Sequence, residues 1–271
     1  MFVSKARPQI IAFQNLRQTN KATAQRYIYD ADNGMTKVVV LGTSLASRLD
    51  SALLEKEIYN LSLGGDSAIT GLEMVVRKGS HVPFVAIETN LLLMKEKNQD
   101  LLNEIFYPYL WKVRKYVPSL REEYQPVNML LSFLVRCVSG NIEQRENTIG
   151  NEKTVQRMLM LAKENSKKET LNMKVVEKNY EDLRRLIGIL KDKGSKIIFF
   201  TMPIHPEMIT LTPYRENNEL MRKHFSGPEY IWLDIPSDQG YLTTDGLHLR
   251  YESAHVFTTG FVNNLKREII N

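Results

Sequence analysis

The apolar residues of this chain gather into short unbroken runs, separated by longer stretches with helical spacing. Lys37-Val-Val-Val-Leu41 is followed by runs at Ile58 to Leu61, Phe84 to Glu88, Lys196 to Met202 and Tyr230 to Asp234. Runs rich in Val, Ile and Phe, with no polar alternation, are what a strand buried on both faces requires, so each is predicted as a strand of a parallel sheet. Ahead of the fourth run, Asn179 to Lys191 carries Leu183, Leu186, Ile187 and Leu190 at helical spacing, and Gly194 stops it. Strands that alternate with helices imply right-handed crossovers and an α/β fold, a three-layer α/β/α sandwich with a central parallel sheet.

The stretch from Leu91 to about Lys178 is too long for a simple crossover. Leu101 to Tyr116 holds Phe106, Tyr107, Tyr109, Trp111 and Tyr116, and Pro118 and Pro126 punctuate the segment after it. Met129 to Val138 reads as an apolar helix, and Thr154 to Lys163 carries Val155, Met158, Leu159 and Leu161. This predicts a helical insertion over about 91–178, beside a helical N-terminal extension over about 1–34, within one domain. Two readings of the insertion stay open. It forms a cap over an acyl or sugar site, or an amphipathic surface that meets membrane or a partner; or its stripes are extra core and surface helices.

Composition narrows the class. A chain of 271 residues can bury a large core as one domain. The single cysteine, Cys137, excludes an intrachain disulfide and offers no metal-site spacing. It sits in an apolar run and reads as a buried or lipid-facing thiol. The net charge of +5 is spread among acids, as in Lys163-Glu-Asn-Ser-Lys-Lys-Glu169, which fits a solvated face and not a nucleic-acid site. Met1 to Gln18 has basic residues without a continuous apolar core, and Met129 to Val138 is too short to span a bilayer and contains Arg136. At face value the chain is cytoplasmic; with an N-terminal anchor ahead of it, it is extracytoplasmic.

The chemistry sits at strand ends, where open α/β sheets place their ligands. Gly42-Thr43-Ser44 ends the first strand, and an amphipathic stretch, Leu45 to Leu54, comes next, so Ser44 is expected where the chain turns into a helix. It reads as a helix cap or as a nucleophile favoured by the helix N-terminus. Thr243-Thr244-Asp245-Gly246-Leu247-His248 sets an acid three residues before an imidazole, a pair that in a tight turn can draw a proton from a serine. Gly64-Gly65 after the second strand is a plain turn or a close-approach N–H donor, and Asn90 after the third is a helix cap or a donor to an oxyanion. His205 lies beyond the fourth strand as a rigid loop residue or a lining of the site. Arg48 is a surface charge or a contact for a substrate anion.

In their order, these segments resemble the SGNH hydrolases, the GDSL-like lipase/acylhydrolase superfamily. The resemblance runs from about Lys37 to about Val262 and lies in Gly42-Thr43-Ser44, Asn60-x-Ser62-x-x-Gly65-Asp66, Asn90 and Asp245-x-x-His248. It implies a flavodoxin-like fold and a serine nucleophile, Ser44, with His248 as base and Asp245 as its orienting acid. It also implies an oxyanion hole from Ser44, Gly65 and Asn90. The third block departs: Glu88-Thr89-Asn90-Leu91 stands where Gly-x-Asn-Asp is usual. That shifts the likeness toward divergent polysaccharide and cell-envelope acyl esterases and acyltransferases. The implied substrate is a small acyl ester or acylated glycan, and no metal or organic cofactor is required. An O-acyltransferase acting on a glycan, and a catalytically silent binding or assembly protein, are the alternatives.

Overall fold

The computed structural model describes residues 16–30, 35–124, 152–168, 171–235 and 240–270. The helix predicted for Met129 to Val138, and Cys137 within it, lie outside the described residues. The chain divides into two compact units.

One unit comprises residues 33–98 and 150–271 and is built on a sheet. Its strands are β1 (Val38–Leu41), β2 (Ile58–Asn60), β3 (Phe84–Glu88), β4 (Lys196–Phe200) and β5 (Tyr230–Leu233). They pair in the order β2-β1-β3-β4-β5, all parallel. The apolar runs locate each strand to within two residues at either end.

Helices cover both faces. Val38 and Val40, Phe84 and Ala86, and Ile198 and Phe200 project to one side, where they join one core with Phe257, Phe261 and Leu265. Those residues come from the C-terminal helix (Tyr251–Ile270), and Phe200 meets Phe261 at 4.8 Å between ring centroids. The alternate residues, including Val39, Val85, Ile197 and Phe199, are fully or almost fully buried on the opposite side. There the helix Ala68–Lys78 packs on β1 and Met173–Asp192 packs on β4 and on that same helix. This is an α/β/α sandwich.

Two local expectations change. The amphipathic stretch after Ser44 forms no α-helix: a single 3₁₀ turn, Ala46–Arg48, is succeeded by further turns. Its polar spacing faces solvent at Ser47 and Arg48 while Leu45, Ala46 and Leu49 are buried, a pattern that one turn satisfies. The helix expected from Asn179 begins six residues earlier, at Met173. Asn172 caps it by accepting from the N–H groups of Lys174 and Val175. Of its first six residues only Val176 is buried, so the buried stripe alone marks too short a helix.

The other unit comprises residues 1–32 and 99–149. Its described part holds helices at Leu16–Asp30, Gln99–Ile105 and Leu110–Tyr116, then 3₁₀ turns at Pro118–Leu120 and Glu122–Tyr124. Polar contacts bind the last turns to the first helix: Glu122 N–H donates to Gln25 at 2.7 Å, Arg26 to Glu123 at 2.8 Å and Arg121 to Asp30 at 2.8 Å. Among the described residues of both units, no helix is long and apolar enough to cross a membrane.

Beyond β3 the chain is strapped from outside. Asn217, on the helix Thr212–His224, is fully buried. Its amide donates to the carbonyls of Thr89 (2.6 Å) and Asn90 (3.1 Å) and accepts from Leu93 N–H (3.0 Å). Asn179 donates to Leu93 O at 2.9 Å. Buried backbone groups left without partners are costly. Asn217→Ala is therefore expected to destabilise the protein by about 3 kcal/mol or more, read as a lowered denaturation midpoint at unchanged m value.

Candidate active site

Ser44 lies three residues past β1, at the carboxyl edge of the sheet. Gly42 makes the turn possible by its lack of bulk. A Cβ there would lie 2.4 Å from the Ala46 Cβ and 2.6 Å from the Glu88 Oε2. Beside it, Leu61 N–H donates to Val40 O and Leu63 N–H to Gly42 O, which extends the β2–β1 pairing past the strand ends. That brings the Gly64–Gly65 turn alongside the Ser44 turn. Gly65 has φ 70°, a left-handed conformation that favours glycine. Among the described residues, neither the Ser44 nor the Gly65 backbone N–H has a hydrogen-bond acceptor.

The acid and the imidazole come from one tight loop, closed by an antiparallel bridge between Thr243 and Leu249. Asp245 Oδ1 accepts from the N–H groups of Leu247 (3.0 Å) and His248 (2.8 Å). Its Oδ2 meets His248 Nδ1 at 2.7 Å. The other ring nitrogen, Nε2, lies 2.9 Å from Ser44 Oγ, across 204 residues of sequence. Gly246, at φ 90°, closes the loop, with Leu159 packed where a side chain would stand. His205 N–H donates to Gly246 O at 2.8 Å, so the segment after β4 supports the loop through its backbone.

Electrostatics favours a defined tautomer. Burial works against charge on Asp245, but bonds from the His248 ring and from the N–H groups of His248 and Leu247 outweigh it and hold the carboxyl down to about 2. An ionised carboxylate only accepts, so Nδ1 carries a proton toward Asp245, and Nε2 is the ring atom that faces the Ser44 hydroxyl. A hydroxyl so placed can surrender its proton as its oxygen attacks an electrophile.

The structure brings Ser44, Asp245 and His248 into one chain of contacts. Asn90 stands two residues past β3 and is buried. Its Nδ2 donates to Met202 O and its Oδ1 accepts from Met202 N–H, both at 2.8 Å. The amide therefore joins the ends of β3 and β4, with the second hydrogen of Nδ2 left for another acceptor. A cleft of about 440 Å³ opens beside it, lined by Thr201, Met202, Asn218, Arg222 and Asp234 among others. The His205 side chain caps the short helix Pro206–Ile209, its Nδ1 accepting from Glu207 N–H. Arg48 is exposed.

One residue has a place in this site that sequence reasoning missed. Glu88, the last residue of β3, is buried behind the Ser44 turn. Its Oε2 accepts from Thr43 N–H (2.7 Å), Thr43 Oγ1 (3.0 Å) and Ala46 N–H (3.3 Å). Burial pushes this carboxyl up from its ordinary value, against the opposing pull of the Thr43 and Ala46 donors and of His248. Its signal in the sequence is an acid closing an otherwise apolar strand. Among the described residues, no cluster of three or more His, Cys, Asp or Glu is arranged to hold a metal.

No protein-family model matches this chain, and no curated protein shows a significant match.

The depressed Asp245 value has a consequence for stability. A carboxyl with a lowered folded-state value stabilises the fold above its ordinary value of 3.8 and loses that contribution as pH falls toward about 2. Wild type should exceed Asp245→Asn in thermal stability above pH 4, and the gap should narrow steadily as pH falls from 4 through about 2. A gap that does not narrow over that range in thermal melts would contradict the Asp245–His248 arrangement.

Proposed function

We propose that this protein is a serine-dependent acyl ester hydrolase of the SGNH type, with a carbohydrate-linked ester as the favoured substrate. The observation that carries the reading is the unbroken line from Ser44 Oγ through His248 to Asp245, at 2.9 and 2.7 Å. It is reinforced by the Ser44 and Gly65 N–H groups on adjoining turns, which have no acceptor among the described residues.

In the proposed reaction, Ser44 Oγ attacks the ester carbonyl carbon as its proton passes to His248 Nε2. Asp245 holds the ring and stabilises the imidazolium. The carbonyl oxygen becomes an oxyanion, met by the Ser44 and Gly65 N–H groups and the remaining Asn90 amide hydrogen. The C–O bond to the alcohol breaks, and His248 returns the proton to the departing oxygen. Water then attacks the acyl-serine, gives its proton to His248, and releases the acid and free Ser44. A sugar hydroxyl in place of that water turns the same cycle into O-acyl transfer.

The test is hydrolysis of p-nitrophenyl acetate by purified protein. Ser44→Ala should lower kcat by about a thousandfold or more at an unchanged circular dichroism spectrum. Asn90→Ala should lower kcat by about 10²–10³-fold and also lower Tm, because the Met202 backbone loses both of its bonds to the amide. Full turnover in Ser44→Ala would sink the mechanism, and acetyl groups gained by an added glycan at the expense of acetate would identify transfer.

A further inference from the structure

We propose that Glu88 is the positioning residue of the Ser44 turn: its carboxyl gathers the neighbouring backbone donors and leaves the Ser44 N–H as the one still free. This rests on the hydrolase reading for its catalytic consequence, though not for its geometry.

The N–H groups of residues 43 to 46 divide in a definite way. Those of Thr43 and Ala46 donate directly to Glu88 Oε2. That of Leu45 donates to Thr43 Oγ1 at 3.2 Å, and the same hydroxyl donates onward to Glu88 at 3.0–3.1 Å from its two oxygens. Ser44 N–H alone has no acceptor among the described residues. A run of backbone N–H groups curled around an anion is a known device for fixing a turn. Here the acceptor at the centre is a carboxyl of the protein itself, supplied from the middle strand of the sheet.

Three features make the clamp stiff. Glu88 is in register with Phe200 on β4, so its backbone is held by the sheet. Gly42 leaves the space that the carboxyl occupies, 2.6 Å from where a Cβ would stand. Asn60 Nδ2 donates to Ala46 O at 3.0 Å, which holds the far end of the turn. The turn after β1 has no α-helix behind it, so this carboxyl does the organising that helical hydrogen bonds would otherwise do. The titratable side chain whose field reaches Glu88 is His248, itself held by Asp245. A misplacement of about 1 Å at a reacting group costs about 10²-fold in rate, so loosening this turn should be felt in kcat.

The experiment separates shape from hydrogen bonding. Glu88→Gln keeps an acceptor; Glu88→Met keeps the length without one. Steady-state kinetics on p-nitrophenyl acetate should show Glu88→Gln within about tenfold of wild type and Glu88→Met lower in kcat by about 10²-fold, with KM little changed in both. Amide hydrogen exchange should find Thr43, Leu45 and Ala46 protected and Ser44 fast in wild type and Glu88→Gln, with the protection lost in Glu88→Met. Should Glu88→Met fail to fold, Thr43→Val removes the bridging hydroxyl and should lower kcat at constant KM, while Thr43→Ser restores it. Wild-type kcat and protection in Glu88→Met, or in Thr43→Val where that variant stands in, would overturn the proposal, as would a Glu88→Gln protein as slow as Glu88→Met. If wild type proves inert toward esters, the hydrolase reading fails, and the exchange pattern alone still decides the clamp.

Discussion

The in-register pairing of β3 with β1 on one side and β4 on the other is the constraint on which the rest of the structure depends. Val38 lies opposite Phe84, and Phe84 opposite Lys196, so the carboxyl ends of three parallel strands finish together. Ser44, Asn90 and Met202 each stand two or three residues beyond one of these ends. A shift of one residue in β3 would turn its core side chains to the opposite face and carry Glu88 away from Thr43. The site is thus fixed by buried apolar strands first and by polar contacts second.

Those polar contacts share a logic. Loops at a sheet edge cannot use the ladder, so their backbone groups need side-chain partners. Here buried amides and a carboxyl supply them: Asn217 for Thr89, Asn90 and Leu93; Asn90 for Met202; Glu88 for Thr43 and Ala46. Asp245 does the same for Leu247 and His248 while its second oxygen orients the imidazole. One carboxylate therefore both folds its loop and sets the tautomer of the imidazole. Polar groups so paired make a rigid edge, and a rigid edge suits chemistry that depends on placement.

The strands are legible in the sequence because a parallel strand buried on both faces needs a continuous apolar run, and Val38–Leu41 or Phe84–Glu88 has little else. Ser44, Gly65 and Asn90 are legible because each stands just past such a run, and Asp245 and His248 because they sit three residues apart around Gly246. The turn after Ser44 is not, since three buried positions among polar ones fit one 3₁₀ turn as well as the start of a longer helix. Glu88 is visible only as an acid closing an apolar strand, which says nothing of what it holds. Its partners are backbone N–H groups 42 and 45 residues away, and no local spacing records them. Asn217 escapes notice for the same reason: its bonds reach 124 to 128 residues back along the chain.

The central claim is that Ser44 is a nucleophile made reactive by His248. Exposure of the wild-type protein to a fluorophosphonate probe, with peptide mass spectrometry as the readout, addresses it most directly. The account predicts a single phosphonylated site on the peptide carrying Ser44, with labelling abolished in His248→Ala. A probe that leaves Ser44 unmodified, or that modifies it equally well without His248, would contradict it.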